Sequence, residues 1–202
     1  MRIINFVKKE LSGWGKYERI IFPLEIFLII ILSVLINDNK IALFSAIFGI
    51  CYTILAGKGK ISCYFFGIIG TLCYSFISLK NQLFGNLALY ILYYLPMQVL
   101  GIFKWKKHMN SSNFEIRKTK LTDNELILYF LFAILVSAIV YAVLLKLNDS
   151  DPLCDSVTSV FSIVGLILTV KRCIDQWYFW FIVNFLSAFM WFEAYINGSN
   201  CL

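Results

Sequence analysis

Two stretches set polar and aromatic residues into otherwise apolar sequence. The first is NLALYILYYLPMQVLGIFKW, residues 86–105, and the second is WYFWFIVNFLSAFMW, residues 177–191. At about 100° per residue, Asn86, Tyr90, Tyr94, Gln98, Gly101 and Trp105 share one helix face. In the second stretch Trp177, Trp180, Asn184, Ser187 and Trp191 recur at spacings of three, four, three and four. Faces of this kind do recognition chemistry: rings stack and attract cations, and neutral amides donate and accept hydrogen bonds. They are poor acid–base catalysts, and no carboxylate lies in the middle of an apolar run, since Glu25, Asp155 and Glu193 all lie toward ends. Trp and Tyr near helix ends also form aromatic belts at membrane interfaces, which accounts for part of Trp105, Trp177 and Trp191. Gln98 and Asn184 lie nearer the middle of their runs, where an amide is costly without a partner. That partner is either a neighbouring helix or a ligand in a cavity.

Other chemistries find no motif. The six Cys lie mostly in apolar runs with no CxxC, so they read as packing residues rather than disulfides or metal ligands. The single His, His108, stands in a basic loop. There is no HExxH or GxSxG, and GKGK lacks the spacing of a phosphate-cradling loop. No cofactor, metal or catalytic residue is expected, and the chain does not read as an enzyme.

The elements that must carry these faces are membrane spans. Of 202 residues, 60% are hydrophobic and 15% charged, against about 25% charged in soluble domains. Seven apolar blocks follow one another: Ile20 to Ile36, Ile41 to Ala56, Ile61 to Leu79, Asn86 to Phe103, Glu125 to Leu147, Asp155 to Val170 and Trp177 to Ile196. Each is long enough to span with modest tilt, so the fold class is an all-α integral membrane protein. The segment 1–19 reads as a short interfacial helix or a basic tail. Residues 20–79 form a first three-helix bundle, 86–103 a linking helix, 104–124 a basic loop and 125–196 a second three-helix bundle. Of the 18 basic residues, all but Lys40, Lys80 and Lys146 fall on one side of this topology, which places the amino terminus in the cytoplasm and the carboxyl terminus outside. The +6 net charge is thus an orientation signal, and no nucleic-acid surface is indicated.

A repeat can be tested by sliding the chain by 114 positions, which lays Tyr64 on Tyr178, Phe65 on Phe179, Ile68 on Ile182 and Leu72 on Leu186, about five identities in 32 positions and barely above chance for so apolar a sequence. Glu25 and Glu125 each open a long featureless helix, and these first and fifth helices read as lipid-facing. The reading is three helices, one linker and three helices, a parallel pseudo-repeat. The second helix lines up Ser45, Gly49, Tyr52 and Ala56. The third lines up Cys63, Gly67, Gly70, Thr71, Tyr74 and Ser78, and the sixth Asp155, Thr158, Ser162, Gly165 and Thr169. Small-residue faces of this kind serve close packing as readily as they line a path.

The run YYLPMQVLGIFKWKKH resembles the fourth-helix signature of the PnuC-type nicotinamide riboside transporters, and WYFWFIVNFLSAFMW is similar to their seventh helix. The resemblance covers the chain from about Glu25 to its end. It implies a SWEET-like fold of seven helices in a 3+1+3 arrangement, in a bacterial cytoplasmic membrane. It implies uptake of nicotinamide riboside by facilitated diffusion, with cytoplasmic phosphorylation trapping the product. Thiamine is the alternative substrate within the family, and a ligand-binding receptor or scaffold is the alternative outside it. By motif position the substrate would meet Tyr94, Gln98, Trp180 and Asn184, with Trp177, Tyr93, Tyr74 and Tyr52 as weaker candidates. The expected partners are this small molecule and the lipid bilayer, and the reading leaves room for a homo-oligomer.

Overall fold

The computed structural model describes residues 14–35, 39–80, 84–109, 115–147 and 151–196. Residues 1–13 of the expected amino-terminal interfacial segment lie outside these residues, its last residues open the first helix, and the side chains of Asn86, Trp191 and Glu193 are not among those described. The described residues are helical apart from isolated bridges in the turns. In chain order the helices are α1 (Lys16–Leu35), α2 (Lys40–Lys58), α3 (Cys63–Lys80), α4 (Phe84–Leu89), a π-helical turn (Tyr90–Tyr94), α5 (Leu95–Lys107), α6 (Asp123–Lys146), α7 (Pro152–Val170) and α8 (Gln176–Ile196). Among the described residues, five segments are long and apolar enough to cross a membrane: α2, α3, Leu87–Lys107, α6 and α7. The expected first and seventh spans fold as helices of 20 and 21 residues.

Local chemistry sets the ends of these helices. Asn39 accepts from the Ile41 amide at 2.9 Å to open α2. Thr122 and Glu125 form a reciprocal capping box at α6, with Thr122 N donating to Glu125 Oε2 at 2.8 Å. Asp151 accepts from Cys154 N at 3.3 Å, and Pro152 opens α7 where an amide proton is not needed. Glu125 is therefore a capping residue, whereas Glu25 lies inside α1, so the expected parallel between them does not hold. The fourth expected span is interrupted at Pro96, which has no N–H to give the residue-92 carbonyl. Just before it the ladder widens, and Leu95 N bonds the carbonyl of Tyr90 five residues back.

The chain divides into two compact units, 1–117 and 118–202. In the first, α2 packs along α3, Ser45 Oγ donates to the Gly70 carbonyl at 3.2 Å, and α3 contacts α4, the π turn and α5. In the second, α7 lies against both α6 and α8. Its core joins Ala133, Val160, Phe161, Val164, Leu168 and Phe179, with the Phe130 and Phe179 rings stacked at 4.6 Å. On α1 and α6 the large apolar side chains are mostly exposed, including Leu24, Phe27, Leu32, Leu128, Leu131 and Leu135, while Ser33 and Ser137 are buried. Hydrocarbon is the solvent such a surface suits.

The turn that closes each central hairpin has the same hydrogen bonds in both units. Lys60 N donates to Leu55 O and Gly59 N to Ala56 O; Cys173 N donates to Leu168 O and Arg172 N to Thr169 O. This is the Schellman pattern, with Gly59 and Arg172 in the left-handed region at φ 72° and 64°. A residue of the segment that follows α5 donates to each left-handed residue's carbonyl: Ile116 N to Gly59 O, earlier in the chain, and Thr119 N to Arg172 O, later in it, both at 3.0 Å. Every equivalent pair in the two hairpin turns is 113 positions apart, as Gly59 and Arg172 are. The turns therefore repeat one residue out of register with the slide that aligns most side chains.

Each turn is also clamped by a buried charge. Lys60 is fully buried and reaches Glu115 Oε1 at 3.1 Å. Asp175, also buried, accepts from Leu121 N at 2.8 Å and from Cys173 Sγ at 3.2 Å. Burial raises the Cys173 pKa, which keeps the thiol protonated and able to donate.

Candidate functional site

In the first unit the polar face converges on Gln98. It is 4% exposed, and its Nε2 donates to Thr71 Oγ1 at 2.8 Å, joining α5 to α3. The interhelical partner that the sequence left open is thus Thr71, but it satisfies only half of the amide. Gln98 Oε1 is buried with no hydrogen-bond partner, and so is the Tyr64 hydroxyl. A buried orphan acceptor costs about 1–3 kcal/mol, so Oε1 is a place where a donor from a ligand or water gains most.

Glycines let rings reach this amide. A Cβ on Gly67 would stand 2.7 Å from Tyr52 Cδ2 and 3.4 Å from Gln98 Cδ, so Tyr52 lies beside Gln98 only because position 67 has no side chain. A Cβ on Gly101 would collide with the Tyr64 ring. Tyr64 meets Trp105 edge to face at 4.9 Å and Tyr52 at 6.4 Å. Trp105 is fully buried; the reading of it as part of an interfacial belt is corrected, because it fills the core of its own unit with Ala56, Cys63 and Ile116.

On the other side of Gln98 the tyrosines form a ladder. Tyr74 and Tyr90 have centroids 4.6 Å apart, Tyr90 and Tyr94 5.0 Å, and Tyr93 and Tyr94 5.7 Å. All four are partly exposed. Tyr90 and Tyr94, four residues apart, stay neighbours through the π turn, and the ladder adds Tyr90 to the candidates.

In the second unit Trp180 is half-buried. Its indole N–H donates to Thr169 Oγ1 at 3.3 Å, and its ring lies against Gly165. Trp177 and Asn184, on the same helix, are exposed from their unit rather than packed into it. The sequence reading placed Thr71 and Thr169 in small-residue stripes without giving them partners, and it missed Gln176, which is bonded to Thr169 and buried. A hydroxyl among small residues carries no signal of the amide or indole it will meet from a distant helix. Other stripe hydroxyls serve packing: Thr158 Oγ1 donates to Cys154 O at 2.7 Å and Ser162 Oγ to Ser159 O at 2.8 Å, within their own helix. Among the described residues, no group of three His, Cys, Asp or Glu could hold a metal ion.

Apolar helices of membrane-crossing length that bury amides and stacked rings are the build of a polytopic membrane transporter. Residues 39–199 match the family described as Nicotinamide mononucleotide transporter, and the chain belongs to that family, whose curated relatives carry the name PnuC. The nicotinamide riboside transporter PnuC of Neisseria mucosa is 31% identical over 201 residues, covering 96% of this chain and 76% of the relative. That of Haemophilus influenzae is 30% identical over 197 residues, covering 96% and 87%. The crystal structure of the vitamin B3 transporter PnuC matches with a TM-score of 0.80 at 31% identity, over 94% of this chain and 83% of that one. The chain is therefore a membrane transporter and not an enzyme.

Proposed function

We propose that this chain carries nicotinamide riboside across the bacterial cytoplasmic membrane by facilitated diffusion, and that phosphorylation in the cytoplasm traps it. The observation that carries the reading is Gln98, its nitrogen held by Thr71 and its buried oxygen without a protein partner. A carboxamide N–H or a ribose hydroxyl is the donor this oxygen suits. The Tyr and Trp faces attract a cationic pyridinium by about 0.5–2 kcal/mol per contact. Tyr94, Tyr93, Tyr74 and Tyr52 would supply such faces in the first unit. In the second unit Trp180 and Trp177 would do so and Asn184 would hydrogen-bond, exposure of the last two leaving them available to a ligand.

The family description speaks of the mononucleotide, whereas the curated relatives are named for the riboside. The residues favour the riboside. A phosphate dianion needs basic donors, and the Lys residues of α2, α3, α5 and α6 stand at helix ends. The same lack disfavours return of a phosphorylated product. The 3+1+3 SWEET-like arrangement with a parallel repeat is part of this reading, supported by the shared hydrogen-bond pattern of the two turns. The distribution of Lys and Arg supports a cytoplasmic amino terminus.

The test is flux into liposomes holding purified protein. Labelled nicotinamide riboside should move down its own gradient without any ion gradient, and a strict proton or sodium requirement would sink the mechanism. Calorimetric titration should rank nicotinamide riboside above thiamine and the mononucleotide. Binding with no flux would instead mark a receptor.

A further inference from the structure

We infer that Gly165 and Thr169 are positioning residues that hold the Trp180 indole in one orientation for the substrate ring, an inference that rests on the reading of Trp180 as a substrate contact. Thr169 Oγ1 has three partners: the Gly165 carbonyl at 2.9 Å, the Trp180 indole N–H at 3.3 Å and the Gln176 amide group. A hydroxyl offers one proton and two lone pairs. The indole N–H can only donate, so it takes a lone pair of Oγ1, while the single hydroxyl proton is shared between two acceptors, the Gly165 carbonyl and Gln176 Oε1. The indole N–H thus has a fixed acceptor.

Gly165 makes room for the ring itself. A Cβ there would stand 3.1 Å from Trp180 Cε2 and 3.3 Å from Nε1, closer than carbon normally approaches. The indole therefore rests on bare backbone while its N–H is pinned one turn further along α7.

The first unit supplies an internal comparison. At the 113-residue offset of the turns, Gly165, Thr169 and Trp180 correspond to Tyr52, Ala56 and Gly67. There too a ring lies on a glycine, but the ring is Tyr52 and the glycine is Gly67, so the two helices have exchanged roles. The position of Thr169 is taken by Ala56, which has no hydroxyl. A ring on a glycine is thus common to both hairpins, whereas the hydroxyl that pins the ring is confined to the unit that carries Trp180. Packing alone does not require it.

The experiment is a double-mutant cycle on the full chain in lipid nanodiscs, titrated with nicotinamide riboside. Thr169→Val should weaken binding about three- to tenfold, the effect of one hydrogen bond, and Thr169→Ser should stay within about twofold. In a Trp180→Phe background, which lacks the N–H, Thr169→Val should have little further effect. Fluorotryptophan labelling gives a second readout: the 19F resonance lost in Trp180→Phe should shift in ligand-free Thr169→Val and Gly165→Ala. Equal loss of affinity in both backgrounds, or an unmoved resonance, would overturn the inference. If Trp180→Ala leaves binding unchanged while the resonance still moves, the substrate role of Trp180 falls and its positioning stands.

Discussion

At Gln98 the amide nitrogen is held by Thr71 at 2.8 Å, so the direction of the carbonyl oxygen is set before a ligand arrives. This is preorganisation in a single side chain, and it separates two substitutions. Gln98→Leu removes the acceptor and should weaken nicotinamide riboside binding about 10- to 100-fold, read by calorimetry. Thr71→Val keeps the acceptor but orphans the amide N–H, so it should lower stability by about 1–2 kcal/mol with a smaller loss of affinity. Gly101→Ala acts without touching the ligand. Its methyl meets the buried Tyr64 ring, and such overpacking costs about 1–3 kcal/mol; a thermal melt should show the loss, and Tyr64→Leu in the same chain should recover part of it. Gln98 and Tyr94 were legible as members of a polar stripe. Thr71 was legible as a stripe member but not as the partner of the amide, because that role is defined by a residue 27 positions away, and Trp105 was misread because a Trp near a helix end looks the same in sequence whether it meets headgroups or a core.

Among the elements, the interrupted helix of residues 84–107 has the clearest mechanical property. Pro96 could be read from sequence as a loosening of the fourth span, but its form could not: the chain answers with a π turn ahead of the proline rather than a kink after it. One extra residue per turn rotates everything amino-terminal to it about the helix axis. Tyr90 and Tyr94, four apart, would be neighbours in an α-helix as well, but the contact of Tyr90 with Tyr74 on α3 depends on how the π turn aims it. Pro96→Ala restores an N–H and removes the reason for the wide turn. We expect the melting temperature to hold or rise while initial uptake in liposomes falls several-fold; unchanged uptake would show that the turn is only an accommodation of the proline. The likeness of the two turns was half-legible for a related reason. Side-chain identities favour one register because aromatic and aliphatic residues coincide by chance in apolar sequence, while backbone bonds follow the αL residue, and Arg172 in that conformation carries no glycine to announce it.

For the whole molecule, composition and the repeated apolar blocks sufficed to give the all-helical membrane class, which the family match bears out. The clamps on the two turns were invisible, because each joins a turn to a segment far along the chain. Glu115→Gln should destabilise the first unit by about 1–3 kcal/mol, less than for a fully buried pair because Glu115 is 33% exposed; Lys60→Met should be milder than Glu115→Gln, since it removes the buried charge instead of stranding it, and a melt of each variant decides the order. The Lys60–Glu115 pair also imposes a timetable on synthesis. Lys60 leaves the ribosome about 55 residues ahead of Glu115, a delay of several seconds at about 5–20 residues per second. During that interval the hairpin of α2 and α3 must be inserted with its lysine still lacking this carboxylate, kept in water or among lipid headgroups. The first unit locks only when the chain beyond α5 emerges, so its own closing signal is the last part of it to be made.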